Sequence, residues 1–388
     1  MHVIRKGMFR LLKSNWGLVC AIVVAAAFLA EWALRLLAPQ PLIHTLVRHD
    51  PLLGARGVPF GQVSIVRPDG GRHTVRLNAM GFRMREELSR SNDRHRILVY
   101  GGGAIFSAHL PIHQTVFGLL KNAIEAKTRS FQLVNAAISG HSIQSTRLLM
   151  MEQIPDLQPR ALVYVFDAGT FARTLVSSDR SAVGELRFDK NGHPMLVDPS
   201  RSPQFEYLER VRESLDWLNR HSQLTTLIIT RAGQLIDWAR ALLGEDTAEI
   251  RLAELPRMAG ESADIKETMY LSELHFLRMA RIANASTVPL LVAWLPAPRE
   301  LVDGSGNSSM VEILQSYRQM LRRLANGHRN FTFWDSVVAA RAPPDSDRLF
   351  ESRGFGAGKL NADGSRWFAN LAAPAIIAFL HSATDGTR

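Results

Sequence analysis

The sequence predicts an α/β fold with three layers, in which helices cover both faces of a mainly parallel sheet of five strands. Two patterns carry that prediction. Five short apolar runs alternate with longer stretches of helical spacing, which is the signature of strand–helix–strand units. Each run also ends in small, polar or glycine residues, as parallel strands do at the sheet edge where ligands bind. A third observation adds an N-terminal transmembrane helix, because residues 16–37 form an apolar run too long for a strand. The chain has 388 residues, 46% of them hydrophobic, enough for one large domain or two smaller ones. No repeat of 20–50 residues points to a solenoid or propeller.

Residues 38–95 read as a stalk and a hairpin lead-in. Several Pro and Gly fall between 38 and 60, and two alternating runs, Ser64 to Arg67 and His73 to Leu77, bracket a turn at 68–71. Residues 96–388 read as the main domain. Its first strand, Ile97 to Tyr100, runs into Gly101, Gly102 and Gly103. Val116, Leu119, Leu120, Ala123 and Ile124 keep helical spacing. Phe131 to Asn135 is the second strand, followed by a loop through Gly140, His141 and Ser142 and a helix to about Gln153. Ala161 to Phe166 is the third strand, ending near Thr170, after which 171–203 read as an excursion with a hairpin at Asn191-Gly192. A helical insertion covers about 204–285, with Trp217 and Trp238 on apolar faces, a more polar stretch at 244–261, and a helix at 265–284. Val288 to Leu295 and Phe331 to Trp334 are the fourth and fifth strands, with a helix at 310–325 between them and a closing helix at 363–379. Right-handed crossovers bring the loops at 101–107, 136–142, 167–171, 296–300 and 354–361 to one edge.

Residues 1–15 carry Arg5, Lys6, Arg10 and Lys13, so the positive-inside rule puts them in the cytoplasm and the main domain outside it. Glu31 and Arg35 stand four apart near one interface, where they can pair or snorkel. Two readings of 16–37 compete. A retained anchor is favoured because the apolar stretch continues past Ala25 and Ala27, the small-residue pair that a cleaved signal peptide would use. A lipoprotein at Cys20 fails, since Val19 before it is not small and apolar residues follow. Cys20 is the single cysteine, so the rest of the chain has no disulfide and no thiolate metal site. The net charge of +10 is scattered rather than clustered, which argues against nucleic acid and suits an anionic lipid headgroup or anionic polysaccharide beside a membrane.

The chain resembles the SGNH (GDSL-type) hydrolase superfamily, above all its membrane-anchored, extracytoplasmic bacterial branch. The resemblance rests on His49-Asp50-Pro51 with Leu53-Gly54, on Asn78-x-x-Gly81-Phe82-Arg83, and on the strand 97–100 with Gly101. It continues through Val134-Asn135-Ala136, the loop 139–142, Pro159 with the strand after it, and Leu360-Asn361-x-x-Gly364. It covers roughly 49–380 and implies a flavodoxin-like strand order and a serine esterase site. In that site a Ser attacks an ester, a His three residues after an Asp activates it, and a Gly and an Asn help hold the oxyanion.

Carried over residue by residue, the nucleophile falls at Gly103, the oxyanion glycine at Gly140, the oxyanion Asn near Thr170, the His at Lys359 and the Asp at Gly356. Nucleophile, base and orienting acid are all missing, so the resemblance implies an SGNH-like pseudoenzyme with a binding or scaffolding role at the cell envelope. Relatives of this kind act in the assembly or acylation of surface polysaccharide, which makes other envelope proteins candidate partners. The implied location is a bacterial inner membrane, crossed once. The ligand-binding candidates are Gly102, Gly103, Gly140, His141, Thr170 and Lys359. A sharper reading of Lys359 puts its ammonium in the old pocket, against a carboxylate or phosphate, while the blander one makes it a solvated lysine.

Two alternatives stay open. Ser107, Ser139, His141 and Ser142, with Asp167 nearby, could form a displaced site for a carbohydrate O-acyl esterase or acyltransferase. Against this, Ser142 suits a helix N-cap and Ser139 a turn. The chain could also be a structural subunit of a membrane complex. Finally, glycines 101–103 lack the Gly-Lys-Ser/Thr ending of a phosphate loop, and His109 with His113 lacks an acidic partner for zinc, so no cofactor and no metal is expected.

Overall fold

In the computed structural model the described residues are 2–37, 45–50, 52–66, 71–89, 94–167, 169–170, 185–188, 194–197, parts of 214–231, 263–301, 309–340, 346–351 and 359–385. Strands β5 (His95–Gly101), β6 (Phe131–Asn135), β7 (Ala161–Asp167), β10 (Leu290–Leu295) and β11 (Phe331–Trp334) form one parallel sheet. Their order, β6-β5-β7-β10-β11, is the 2-1-3-4-5 order of doubly wound sheets. The three central strands are buried along almost their whole length, which explains why they read as unbroken apolar runs.

Successive side chains of β5 feed opposite faces. Leu98 and Tyr100 join a core with α4 (Ile143–Leu157), α5 (Ala263–Ala285) and α6 (Ser309–Gly327). Ile97 and Val99 join a second core with α3 (Val116–Lys127) and α7 (Ala362–Asp385). The sheet is thus the middle of three layers. α4 continues to Leu157, beyond its expected end, with Pro155 accommodated in its last turn, and Gln158 closes it at φ 44°. α7 likewise runs past Phe379, because Ile376, Phe379 and Leu380 still face the core.

The lead-in is more ordered than a stalk. β1 (Val47–Asp50) and β2 (Gly54–Gly57) pair antiparallel, and Asp50 accepts the Leu52 and Leu53 amides at 2.9 Å to shape the turn. β3 (Gln62–Val66) and β4 (Arg72–Arg76) form the expected hairpin. The excursion at 171–203 contains a second antiparallel pair, β8 (Glu185–Phe188) with β9 (Pro194–Val197), and Asn191-Gly192 lies outside the described residues.

α1 (His2–Leu37) passes unbroken through Ala25 and Ala27. Its segment Leu18–Leu37 is long and apolar enough to cross a membrane, and Leu18, Ile22, Val24, Phe28 and Leu29 are all more than half exposed. Glu31 pairs with Arg35 at 2.8 Å and also accepts the Ser222 hydroxyl and the Gln223 and Leu224 amides at 2.9–3.0 Å. Arg35 donates to the His221 carbonyl at 2.7 Å. The expectation that Trp217 packs on an apolar face is overturned. It is 57% exposed and stacks on His221 beside this clamp. Trp238 and the stretch 244–261 lie outside the described residues.

Candidate functional site

β5 delivers its last glycines to the edge where the other parallel strands also end. Gly101 is required there, because a Cβ on it would lie 2.6 Å from Ile105 Cγ1. Gly102 starts a single helical turn, α2 (Gly103–Phe106), and Ser107 ends it at φ 43°. Gly103 differs from Gly101. A Cβ there would meet the Lys359 Cε at 3.5 Å, the Lys359 Nζ at 3.6 Å and the Ser139 Oγ at 3.6 Å, all ordinary contacts. Three segments far apart in sequence therefore converge at the position that the resemblance gives to a nucleophile, and that position has no hydroxyl.

The lead-in braces this turn. Asn78 Oδ1 accepts the Met80 and Phe82 amides at 3.0 and 2.9 Å, and Gly81 takes φ +76° against Gly57, where a Cβ on either would strike the other's backbone. The bend delivers Arg83, 2% exposed, whose guanidinium donates to the Phe106 carbonyl and, at 2.5 Å, to the Leu110 carbonyl. Burial pulls the Arg83 pKa down to about 9. The Asn78–Arg83 motif thus supports the site without entering it.

In the second loop Asn135 donates to the Arg83 carbonyl at 3.1 Å, and Gly140 adopts φ +97°. Ser142 caps α4 by accepting the Ser145 amide at 3.2 Å, the structural role that its sequence context favoured. His141 is 1% exposed, and its Nε2 meets the Ala55 carbonyl of β2 at 2.7 Å, so that nitrogen is engaged with the hairpin. Ser107 is equally buried and donates to the Ala104 carbonyl. Ser139 is half-buried, and its hydroxyl lies 3.6 Å from the Cβ position of Gly103.

After β7, Asp167 Oδ1 accepts the Thr170 amide at 2.5 Å, which closes the loop with Thr170 fully buried. The fourth segment starts at Lys359. Leu360 bridges Phe350, and Asn361 Oδ1 accepts the Gly364 amide at 2.9 Å to start α7. A Cβ on Gly364 would lie 2.1 Å from the Leu349 carbonyl oxygen. The Leu-Asn-x-x-Gly pattern is therefore a helix start that fixes where Lys359 emerges. Lys359 is half-buried and lies against the Gly103 position. Gly356 and Arg353 lie outside the described residues.

His109, read from sequence as a loop residue, lies beneath this segment. Its Nε2 meets the Leu360 carbonyl at 3.0 Å. Burial lowers its pKa to about 4, and the charges of Lys359 and Arg83 push the same way against the Leu360 hydrogen bond. Among the described residues no group of three His, Cys, Asp or Glu side chains is placed to hold a metal.

No protein-family model matches the chain, and no curated protein matches it. Among solved structures it is similar to a lipase/acylhydrolase from Enterococcus faecalis, with 11% identity, TM-score 0.38, and coverage of 73% of this chain and 96% of that one. It is similar to an acetyl xylan esterase at 16% identity and TM-score 0.38, covering 72% and 99%. A third is a GDSL-like lipase from Bacteroides thetaiotaomicron, at 10% identity and TM-score 0.36, covering 76% and 93%. The fold of this chain stands on its own parallel sheet and 2-1-3-4-5 strand order.

Proposed function

We propose that this chain is a membrane-tethered SGNH-type protein that binds a ligand in the former esterase pocket and does not hydrolyse esters. One observation carries the reading. The Lys359 ammonium lies 3.6 Å from the Cβ position of Gly103, which supports reading it as a cation where the resemblance expects a neutral His beside a Ser. A lysine there holds a carboxylate or phosphate as a point charge. A glycine offers no oxygen for acyl transfer, and losing the nucleophile or base of a serine hydrolase costs several orders of magnitude in turnover. The ligand class that fits is an acidic polysaccharide or a lipid headgroup, in company with other proteins of the envelope. The apolar span Leu18–Leu37 then crosses a bacterial inner membrane once, with the N-terminus in the cytoplasm and Trp32, Trp217 and Ile228, each more than half exposed, at the outer interface.

Hydrolysis of a small acetyl ester by the full chain in detergent tests the reading. The native protein is expected to stay at background. Gly103→Ser with Gly356→Asp and Lys359→His is expected to gain turnover, and hydrolysis by the native protein would overturn the proposal. A second reading, an active O-acyl esterase or acyltransferase, has one observation in its favour. Ser139 Oγ and Lys359 Nζ both lie 3.6 Å from the same point, so they could act as a serine–lysine pair. In that case the native chain hydrolyses the ester, and Ser139→Ala abolishes it.

A further inference from the structure

Helices α4 and α5 pack together over one face of the sheet. Arg147 projects from α4 and is wholly shut off from solvent. His275, 8% exposed, and Arg278, half-buried, stand one turn apart on α5 within electrostatic reach of Arg147. Arg281, exposed on the next turn, continues the basic track to the surface. Among the described residues Arg147 Nη1 meets the Met151 sulfur, at 3.6 Å. Its Nε and Nη2, and the Nδ1 of His275, have no hydrogen-bond partner among the described residues.

Nε and Nη2 form the side-on edge of a guanidinium, the edge that grips a carboxylate or phosphate through two parallel hydrogen bonds. Among the described residues no carboxylate meets that edge, and a buried guanidinium calls for a counter-charge. We infer that Arg147, His275 and Arg278 form an oxyanion site between α4 and α5, which takes a carboxylate or phosphate group with Arg147 as its two-pronged anchor. Arg278 and the exposed Arg281 add positive charge between Arg147 and the surface, which favours an anion there. The site is separate from the pocket at Gly103. Arg147 stands five residues beyond the α4 cap Ser142, about 7.5 Å along the helix, and none of its groups touches Gly103, Ser139 or Lys359 among the contacts described.

Titrating inorganic phosphate, and separately acetate, into the full chain in detergent at constant ionic strength tests this by calorimetry. Saturable binding of at least one anion is expected. It should weaken at least about tenfold in Arg147→Lys, which keeps the charge but loses the fork, and be abolished in Arg147→Met. Arg278→Gln should weaken it several-fold. The titration is repeated in Lys359→Gln, which removes the ammonium of the pocket at Gly103: the binding that survives there should be the part that the Arg147 and Arg278 variants lose, which separates the two sites. Phosphate preferred over acetate assigns a phosphate-bearing ligand, and the reverse assigns a carboxylate. If Arg147→Met does not fold, Arg147→Lys and Arg278→Gln still decide. No saturable binding of either anion, or unchanged binding in Arg147→Lys and Arg278→Gln, overturns the inference.

Discussion

At Gly103 a side chain is sterically permitted, whereas two residues earlier it is not. A methyl on Gly103 would sit at ordinary contact distance from Lys359 and Ser139, while one on Gly101 would run into Ile105 and lie 3.1 Å from the Val165 carbonyl oxygen. Gly103→Ala should therefore shift stability by less than about 0.5 kcal/mol, and Gly101→Ala should cost about 1–3 kcal/mol. Thermal melts of the two variants side by side check the contrast. Equal losses would show that Gly103 is held by the fold and does not open on a pocket. His109 makes a second residue-scale prediction. Its folded pKa is about 4 and its ordinary value 6.5, so between those pH values the unfolded chain takes up a proton that the folded chain refuses. Its contribution is complete above pH 6.5 and is lost as the pH falls toward 4, amounting to about 2 kcal/mol at pH 5. His109→Gln should remove that share of the acid lability. Part should persist, because burial also lowers His275, to about 3. Melting curves at pH 7 and pH 5 for the native chain and the variant read the difference.

The elements around the site are held by a few buried polar anchors. Arg83 satisfies the carbonyls of Phe106 and Leu110 at once, so Arg83→Met leaves both oxygens without their donor. We expect a loss of about 2–4 kcal/mol, larger than the roughly 1 kcal/mol for removing the Ser142 cap with Ser142→Ala. Denaturant titration of both variants ranks them, and the reverse order would demote the lead-in to a passive connection. The same elements show what the sequence could and could not reveal. β5, β7 and β10 were legible because strands buried on both faces must be apolar throughout, and strand order followed from the motifs. The β1–β2 hairpin was hidden because its residues alternate in neither polarity nor size, and its register comes from Asp50 capping its own turn. Lys359 could be placed by its spacing to Leu360 and Asn361. Ser139 and His109 could not, because long-range packing decides where a loop side chain points. His109, for instance, is aimed by a carbonyl 251 residues away in sequence.

At the scale of the whole molecule, the apolar helix and the globular part are joined at Glu31. This carboxylate bonds Arg35 within its own helix and, across 191–193 residues of sequence, the hydroxyl of Ser222 and the amides of Gln223 and Leu224. The two amides belong to the first turn of the helical residues 223–228, where N–H groups lack partners within the helix and a carboxylate is favoured. Glu31 therefore bonds the apolar helix to residues 222–224 of the globular part, beside the exposed Trp217. Glu31→Ala removes every one of these acceptors, and Ser222 can replace only part of the cap through the 3.0 Å bond it already makes to the Thr225 amide. Hydrogen exchange on the full chain in detergent should then show the Gln223 and Leu224 amides losing about tenfold or more in protection. The amides of β5 and β7, which belong to the sheet alone, should stay unchanged. Faster exchange confined to 223–224 establishes a local joint. Unchanged exchange there would mean that the globular part holds this helix without the carboxylate and that the apolar helix is joined to it only through the chain.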